Sequence, residues 1–279
     1  MEDVPIYAVE RPAKGRARSG APVVILIHGA GVDHRDWTFS FLDRLNPTWR
    51  VLAFDRPGFG GSGRSAGPAS ALPTTQARLL QKAAMAHDVE RALVVGHSWG
   101  GAVGMAWGVS APESTVGVAS LAGAVAPWSL ANAIKNGRRM QSTARTALGA
   151  GGMRAAAMEA LAASFEPEPM PSGYADHLET DLRPLSGPAA ATMADVSTIN
   201  GALALLTPRY AAFERPVELV YGDADTILSI DEQGRAAAAM LPNARLTALP
   251  GAGHMLHHTK PRACLAAIER LFAAGCSSG

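Results

Sequence analysis

An α/β architecture is the fold this sequence predicts: a mostly parallel central sheet flanked by helices, with a helical segment inserted into it. Three observations lead there. Short β-branched and aliphatic runs recur, each followed by a stretch with helical spacing, which is the pattern of crossover units on a parallel sheet. The runs are continuous, as strands covered on both faces must be. Between about Trp128 and Pro208 the rhythm stops; that stretch is Ala- and Met-rich, reads as helix and holds no convincing strand.

In chain order, Pro5–Glu10 can supply only a short early edge strand, and Pro22–Ile27 (PVVILI) is the first buried one. Trp37, Phe41, Leu42 and Leu45 recur at helical spacing, which predicts a helix after it. Arg50–Asp55 is the next strand, closed by the turn-rich Arg56-Pro57-Gly58-Phe59-Gly60-Gly61-Ser62-Gly63. Thr74–His87 is helical, with Pro73 at its start. Ala92–Gly96 is a strand, Trp99–Ser110 a helix and Thr115–Leu121 a strand. After the interruption come a strand at Pro216–Tyr221 and a helix at Ser229–Leu241, with a Ser229/Glu232 capping-box pattern. A strand at Ala244–Leu249 and a helix at Lys260–Ala274 finish the chain. The expected division is a core of residues 1–127 and 209–279 with a helical cap of residues 128–208.

The bulk properties narrow the function. The 279 residues are 48% hydrophobic and 18% charged, which suits a globular protein with an ample core. A formal net charge of +1 gives no electrostatic reason to expect nucleic acid or an anionic membrane as partner. Residues 1–20 are polar and lack the apolar stretch of a signal peptide, and no apolar run approaches the length of a membrane span. Cys264 and Cys276 have neither disulfide-framework nor metal-ligand spacing. The expectations are a cytoplasmic protein, monomer or small homo-oligomer, acting on a small molecule.

The chemistry begins at Gly96-His97-Ser98-Trp99-Gly100, between a strand and a helix. A sharp turn there strains the serine backbone and admits only small flanking residues. It leaves the hydroxyl at a helix N-terminus, where the Trp99 N–H and the helix dipole can stabilise an oxyanion. A serine hydroxyl is a weak nucleophile and needs a base, which in turn needs a carboxylate to orient it. In a parallel sheet such groups collect at the carboxyl ends of strands. Past the strand at 216–221 lie Asp223 and Asp225; past the one at 244–249 lies His254, with His257 and His258 one turn further. The strand at 115–121 ends in Gly123-Ala124-Val125-Ala126 and offers no carboxylate.

With His28-Gly29-Ala30-Gly31, Asp55-Arg56-Pro57-Gly58-Phe59-Gly60, Gly222-Asp223-Ala224-Asp225 and Gly253-His254 in the same order, the chain resembles the α/β-hydrolases. It is most similar to their capped, epoxide-hydrolase-like branch, from about residue 22 to 274. The resemblance implies Ser98 as nucleophile, His254 as general base and acid, and Asp225, third after the glycine, as its orienter. It also implies an oxyanion hole from the backbone N–H groups of Ala30 and Trp99, and a helical cap over the site. Trp99, Trp128 and Met255 are the expected substrate contacts. No metal or organic cofactor is implied. Serine at position 98 argues against dehalogenases and epoxide hydrolases of this fold, which use a carboxylate nucleophile.

The remaining polar residues near the site receive structural roles. Asp223 is expected to serve its turn, His97 to pack beneath the serine, and His28 to brace the oxyanion loop. His257 and His258 are expected at the pocket wall or surface, and Asp33, His34 and Asp36 as solvated loop residues. The Gly58–Gly63 loop lacks the lysine of a phosphate cradle. The leading expectation is a carboxylesterase on small to medium apolar esters. The same triad on a lactone, an amide, an N-terminal prolyl peptide or a C–C bond is the alternative. A prolyl substrate needs a cap carboxylate, for which Glu166, Glu168, Asp176, Glu179 and Asp181 are available. A non-catalytic receptor of this fold is disfavoured, because such proteins usually lose the acid or the base.

Overall fold

The computed structural model describes residues 4–15, 21–129, 152–178 and 188–277. Seven strands form one sheet: β1 (Ala8–Arg11), β2 (Val23–Ile27), β3 (Val51–Phe54), β4 (Ala92–His97), β5 (Thr115–Leu121), β6 (Val217–Gly222) and β7 (Ala244–Leu249). Their order is β1-β3-β2-β4-β5-β6-β7. Only β1 runs antiparallel, pairing Ala8 with Phe54 and Arg11 with Val51. All residues of β2 to β6 are buried, which is why these segments read as unbroken apolar runs. At the far edge β7 alternates half-buried and exposed positions.

Helices cover both faces. On one, α2 (Pro73–Ala86) and α3 (Trp99–Ser110) bury Ala77, Leu80, Val103 and Trp107 against Ile25, Val94 and Val118. On the other, α1 (Arg35–Thr38) and the C-terminal helix pack Trp37, Phe41, Ile268 and Leu271 against Val24, Val95 and Ala119. The predicted helix over Trp37–Leu45 is broken. α1 ends at Thr38, the hydrogen bonds Phe39 N→Arg35 O and Phe41 N→Trp37 O continue the turn, and a 3-10 turn follows at Leu42–Arg44. All four apolar residues are nevertheless buried.

Between β5 and β6 the described elements are helical: α4 (Gly152–Phe165), α5 (Tyr174–His177) and α6 (Pro188–Leu206). Phe165, Tyr174 and Leu178 form a small cluster with Met255, and Ile199, Leu203 and Leu206 of α6 join the main core. One expectation is corrected here. Within Ala189–Ala212 a window of 18 residues has a mean hydropathy of 1.3, so the segment is long and apolar enough to cross a membrane by length and composition alone. The apolar character comes from alanine and leucine, yet this helix carries a fully buried Asp195 and packs on the core.

After β6, Ser229 Oγ accepts from Asp231 N at 3.3 Å, so the expected bond to Glu232 N is replaced. A π turn (Asp231–Arg235) opens before α7 (Ala236–Met240). The wide turn accompanies an inward Gln233, whose Oε1 accepts from Val125 N and Ala126 N at 2.8 and 3.0 Å. Last come α8 (Leu256–Thr259) and α9 (Pro261–Ser277). Cys264 is buried and Cys276 half-buried, both as free thiols; burial pushes the Cys264 thiol well up and keeps it protonated.

The strand order explains where chemistry can occur. The chain runs from β2 out to β3, then crosses back to place β4 on the other side of β2. The loops leaving β2 and β4 at their carboxyl ends therefore diverge, and a crevice opens between them. Those loops carry His28–Gly31 and Ser98.

Candidate active site

Ser98 sits at the cap position of α3 with φ 52° and ψ −120°, a conformation few non-glycine residues adopt. Three backbone hydrogen bonds hold it there: Ser98 N→Leu121 O (3.0 Å), Ala124 N→Ser98 O (2.9 Å) and Gly101 N→Ser98 O (2.9 Å). The flanking glycines follow from crowding. A Cβ on Gly96 would run into the Gly100 carbonyl, and one on Gly100 into the Ile27 carbonyl.

Two loops at the far end of the sheet bring partners to it. Asp225 follows β6; its Oδ1 accepts from the N–H groups of Ile227 (2.8 Å) and Leu228 (2.9 Å), and its Oδ2 lies 2.7 Å from His254 Nδ1. An ionised carboxylate only accepts, so Nδ1 carries the imidazole proton and Nε2 is left as an acceptor. His254 Nε2 is 2.9 Å from Ser98 Oγ. Asp225 and His254 are 9% and 5% exposed, so water competes little for these bonds. The arrangement can take a proton from Ser98 and hold it as an imidazolium facing a carboxylate. Asp223 points elsewhere: its Oδ1 accepts from Gly251 N at 2.7 Å, in the turn.

The loop after β2 presses against the serine; a Cβ on Gly29 would lie 3.2 Å from Ser98 Cβ. Ala30 follows it and Trp99 opens α3. The Trp99 side chain is 3% exposed, with the Arg56 guanidinium carbon 4.5 Å from its ring centre. Met255 is 4% exposed and packs with Phe165, Tyr174 and Leu178. Trp128 is half-buried against the main core, and its backbone N–H donates to Asn200 Oδ1 of α6 at 2.6 Å.

Beside this site lies a second carboxylate–histidine assembly that sequence reasoning missed. Asp36, expected in solvent, is fully buried. Its Oδ1 accepts from Tyr174 Oη (2.6 Å), His258 Nε2 (2.8 Å) and His257 Nε2 (3.0 Å). His257 is thus buried, and the side chain of half-buried His258 turns inward, so neither imidazole lies at the surface. Burial works to raise the Asp36 carboxyl, but the two imidazoles outweigh it and hold the group well below the usual carboxylate range. Burial lowers His257 to about 4, so it is neutral at pH 7 and donates its Nε2–H. His97 joins this assembly to the serine site: its ring centre is 4.3 Å from that of His257, and its Nε2 donates to the His254 carbonyl at 3.2 Å. The sequence signal was a carboxylate inside an apolar helical stripe, next to Trp37.

Two groups place possible metal ligands together, Asp36/His257/His258 and Asp33/His34/Asp55. In the first, all three donors already meet on Asp36 Oδ1, and both Nδ1 atoms are buried without a hydrogen-bond partner. A metal-bound imidazole ordinarily anchors its second nitrogen. In the second, Asp33 is taken by Arg35 at 2.6 Å and Asp55 Oδ2 by Gly61 N at 2.8 Å. Both sets read as hydrogen-bonded carboxylates. Of the carboxylates considered for a prolyl substrate, Glu168 accepts from Gly253 N (2.9 Å) and pairs with Lys260 (3.1 Å). Glu166 and Asp176 are exposed, and Glu179 and Asp181 lie outside the described residues.

The profile of the alpha/beta hydrolase family matches residues 24–267. A protein named "Putative carbamate hydrolase RutD" from Shigella flexneri serotype 5b (strain 8401) is 27% identical over 249 residues, covering 86% of this chain and 87% of its own. The dihydrolipoyllysine-residue acetyltransferase component of an acetoin cleaving system from Cupriavidus necator is 38% identical over 126 residues. That match covers 44% of this chain and only 31% of the relative's length. Among solved structures, an esterase from Exiguobacterium antarcticum superposes with a TM-score of 0.77 at 13% identity, covering 96% of each chain. At that identity the likeness is one of fold.

Proposed function

The chain belongs to the alpha/beta hydrolase family, and from that premise we propose that it is a serine hydrolase, a carboxylesterase acting on small to medium apolar esters. The observation that carries the proposal is the continuous relay Asp225 Oδ2···His254 Nδ1 (2.7 Å) and His254 Nε2···Ser98 Oγ (2.9 Å) on a strained strand-to-helix turn. In this reading His254 takes the Ser98 proton as Oγ attacks the ester carbonyl carbon. The N–H groups of Ala30 and Trp99 hold the oxyanion, and one such donor is worth about 2.7–4 kcal/mol. His254 then gives its proton to the departing alcohol. Water repeats the sequence on the acyl-enzyme and frees Ser98. The reaction so written requires no metal or organic cofactor.

Residues 128–208 form the cap in this proposal. Supporting it, Glu168 bonds the residue before His254, and Phe165, Tyr174 and Leu178 pack on the residue after it. Trp128 and Met255 then contribute apolar contacts to the acyl site. The test is turnover of p-nitrophenyl esters from acetate to decanoate, with Ser98→Ala alongside. The proposal expects activity that peaks at short to medium chains and vanishes in the variant. Full activity in Ser98→Ala, or no turnover of any ester by the wild type, contradicts it.

A further inference from the structure

We propose that Arg56 is a positioning residue for the oxyanion donors, and that Asp195 couples the seating of α6 to their geometry; this rests on the serine-hydrolase reading above. The Arg56 side chain is fully buried, and every bond it makes is directed. Its Nε donates to His28 O (3.0 Å) and its Nη2 to Gly29 O (2.8 Å). Its Nη1 donates to Gln76 Oε1 (3.0 Å) and to Asp195 Oδ2 (2.6 Å). Asp195 is also fully buried and stands on α6, so the cation's counter-charge comes from the segment between β5 and β6.

The consequence lies in the Gly29–Ala30 peptide. Arg56 N–H donates to His28 Nε2 at 2.9 Å, so Nε2 is an acceptor and the imidazole proton sits on Nδ1. That Nδ1–H meets Gly29 O at 2.8 Å. Burial, with the nearby Arg56 charge, lowers His28 to about 4, which keeps this neutral tautomer at pH 7. Both lone pairs of the Gly29 carbonyl are therefore taken, one by His28 and one by Arg56. A trans peptide is planar, so its C=O and N–H point in opposite directions. Fixing the Gly29 carbonyl fixes the direction of the Ala30 N–H. The same guanidinium lies 4.5 Å from the Trp99 ring, whose residue supplies the second donor. One buried cation thus orients the Ala30 N–H and packs on the side chain of the residue that carries the other donor.

Arg64 separates this role from simple adhesion. It also pairs with Asp195, Nη2 to Oδ1 at 2.9 Å, and reaches Ala191 O on α6 at 3.5 Å, but its bonds run to Pro57, Ser70 and α6 and not to Gly29. Loss of Arg64 leaves the Arg56–Asp195 pair that seats α6 in place, whereas loss of Arg56 frees the Gly29 carbonyl.

The experiment compares Arg56→Lys, Asp195→Asn and Arg64→Ala with wild type and Ser98→Ala in the full chain. It reads kcat and KM on p-nitrophenyl butyrate, Ki for a trifluoromethyl ketone, and the rate of Ser98 labelling by a fluorophosphonate. Lysine keeps the charge but is a point donor and cannot span Gly29 O and Asp195 together. The expected result is a fall in kcat of about 10²-fold for Arg56→Lys, with KM within threefold and the ketone Ki rising in step. Asp195→Asn should follow with about a tenfold loss, and Arg64→Ala should stay within twofold of wild type. A folded Arg56→Lys enzyme with wild-type kcat and labelling rate overturns the proposal. If Arg56→Lys does not fold, unchanged kcat in the near-isosteric Asp195→Asn overturns it instead. Ser98→Ala separates the two failures: if it is inactive while Arg56→Lys matches wild type, only the positioning role falls. If Ser98→Ala is active, the serine-hydrolase reading falls first.

Discussion

Two carboxylate–histidine pairs lie one helical turn apart in this molecule, and they are wired in opposite senses. Asp225 holds His254 by Nδ1 and leaves Nε2 aimed at Ser98. Asp36 holds His257 and His258 by Nε2 and leaves each Nδ1 buried without a hydrogen-bond partner. Both carboxylates are interior and both accept several bonds, so burial and charge alone do not distinguish them. What distinguishes them is where the second nitrogen points. In one pair it faces a hydroxyl on a strained turn beside the crevice between the β2 and β4 loops; in the other it faces protein. The first arrangement can pass a proton on, whereas the second can only hold α8, Tyr174 and α1 together.

If this contrast is right, equal insults should separate activity from stability. The largest effect belongs to the open pair. Asp225→Asn should lower kcat about 10⁴-fold by removing the acceptor that selects the His254 tautomer, with the thermal midpoint little changed. Steady-state kinetics and a melting curve on the same sample decide it. The enclosed pair should answer the other way. Asp36→Ala strands the donors of Tyr174, His257 and His258 and should cost about 3–5 kcal/mol in denaturant unfolding. Its kcat at a temperature where it remains folded should stay within about tenfold.

Acid sharpens the same contrast. His28 and His257 are held near 4 in the folded chain by burial, and take up protons at about 6.5 once unfolded. Between those values the unfolded state binds more protons, so stability falls as pH falls from about 6.5 toward 4. Burial holds His97 well down in the same way, so lowering pH from 7.5 to 5.5 should cost about 4 kcal/mol in urea unfolding. Replacing His257 with glutamine should remove about a third of that pH dependence. The smallest effect is Tyr174→Phe, which takes one of three donors from Asp36 Oδ1 and should cost about 1–2 kcal/mol without moving KM.

The sequence made the open pair readable and hid the enclosed one, for a physical reason. Ser98, Asp225 and His254 each sit just past a strand, beside glycines that the turns require, so local pattern marks them. Asp36 and His257 are 221 residues apart, and Arg56 and Asp195 are 139 apart. Such pairs form only when the sheet brings their loops together, and no local spacing announces them. Strands β2 to β6 were legible because full burial forces continuous apolar runs. The stretch at Trp37–Leu45 showed which face is buried but not where the helix breaks. The long apolar character of α6 was masked by the polar Thr192, Asp195, Ser197, Thr198 and Asn200 that interrupt it, and its buried Asp195 became intelligible only beside Arg56.

The most direct test is covalent. The full chain is treated with a fluorophosphonate and its intact mass and peptide map are read, beside Ser98→Ala and His254→Ala. One adduct on Ser98, absent from Ser98→Ala and slowed at least 10³-fold in His254→Ala, is the result predicted for a serine activated by this relay. No adduct on wild type, or an adduct that persists in Ser98→Ala, contradicts it.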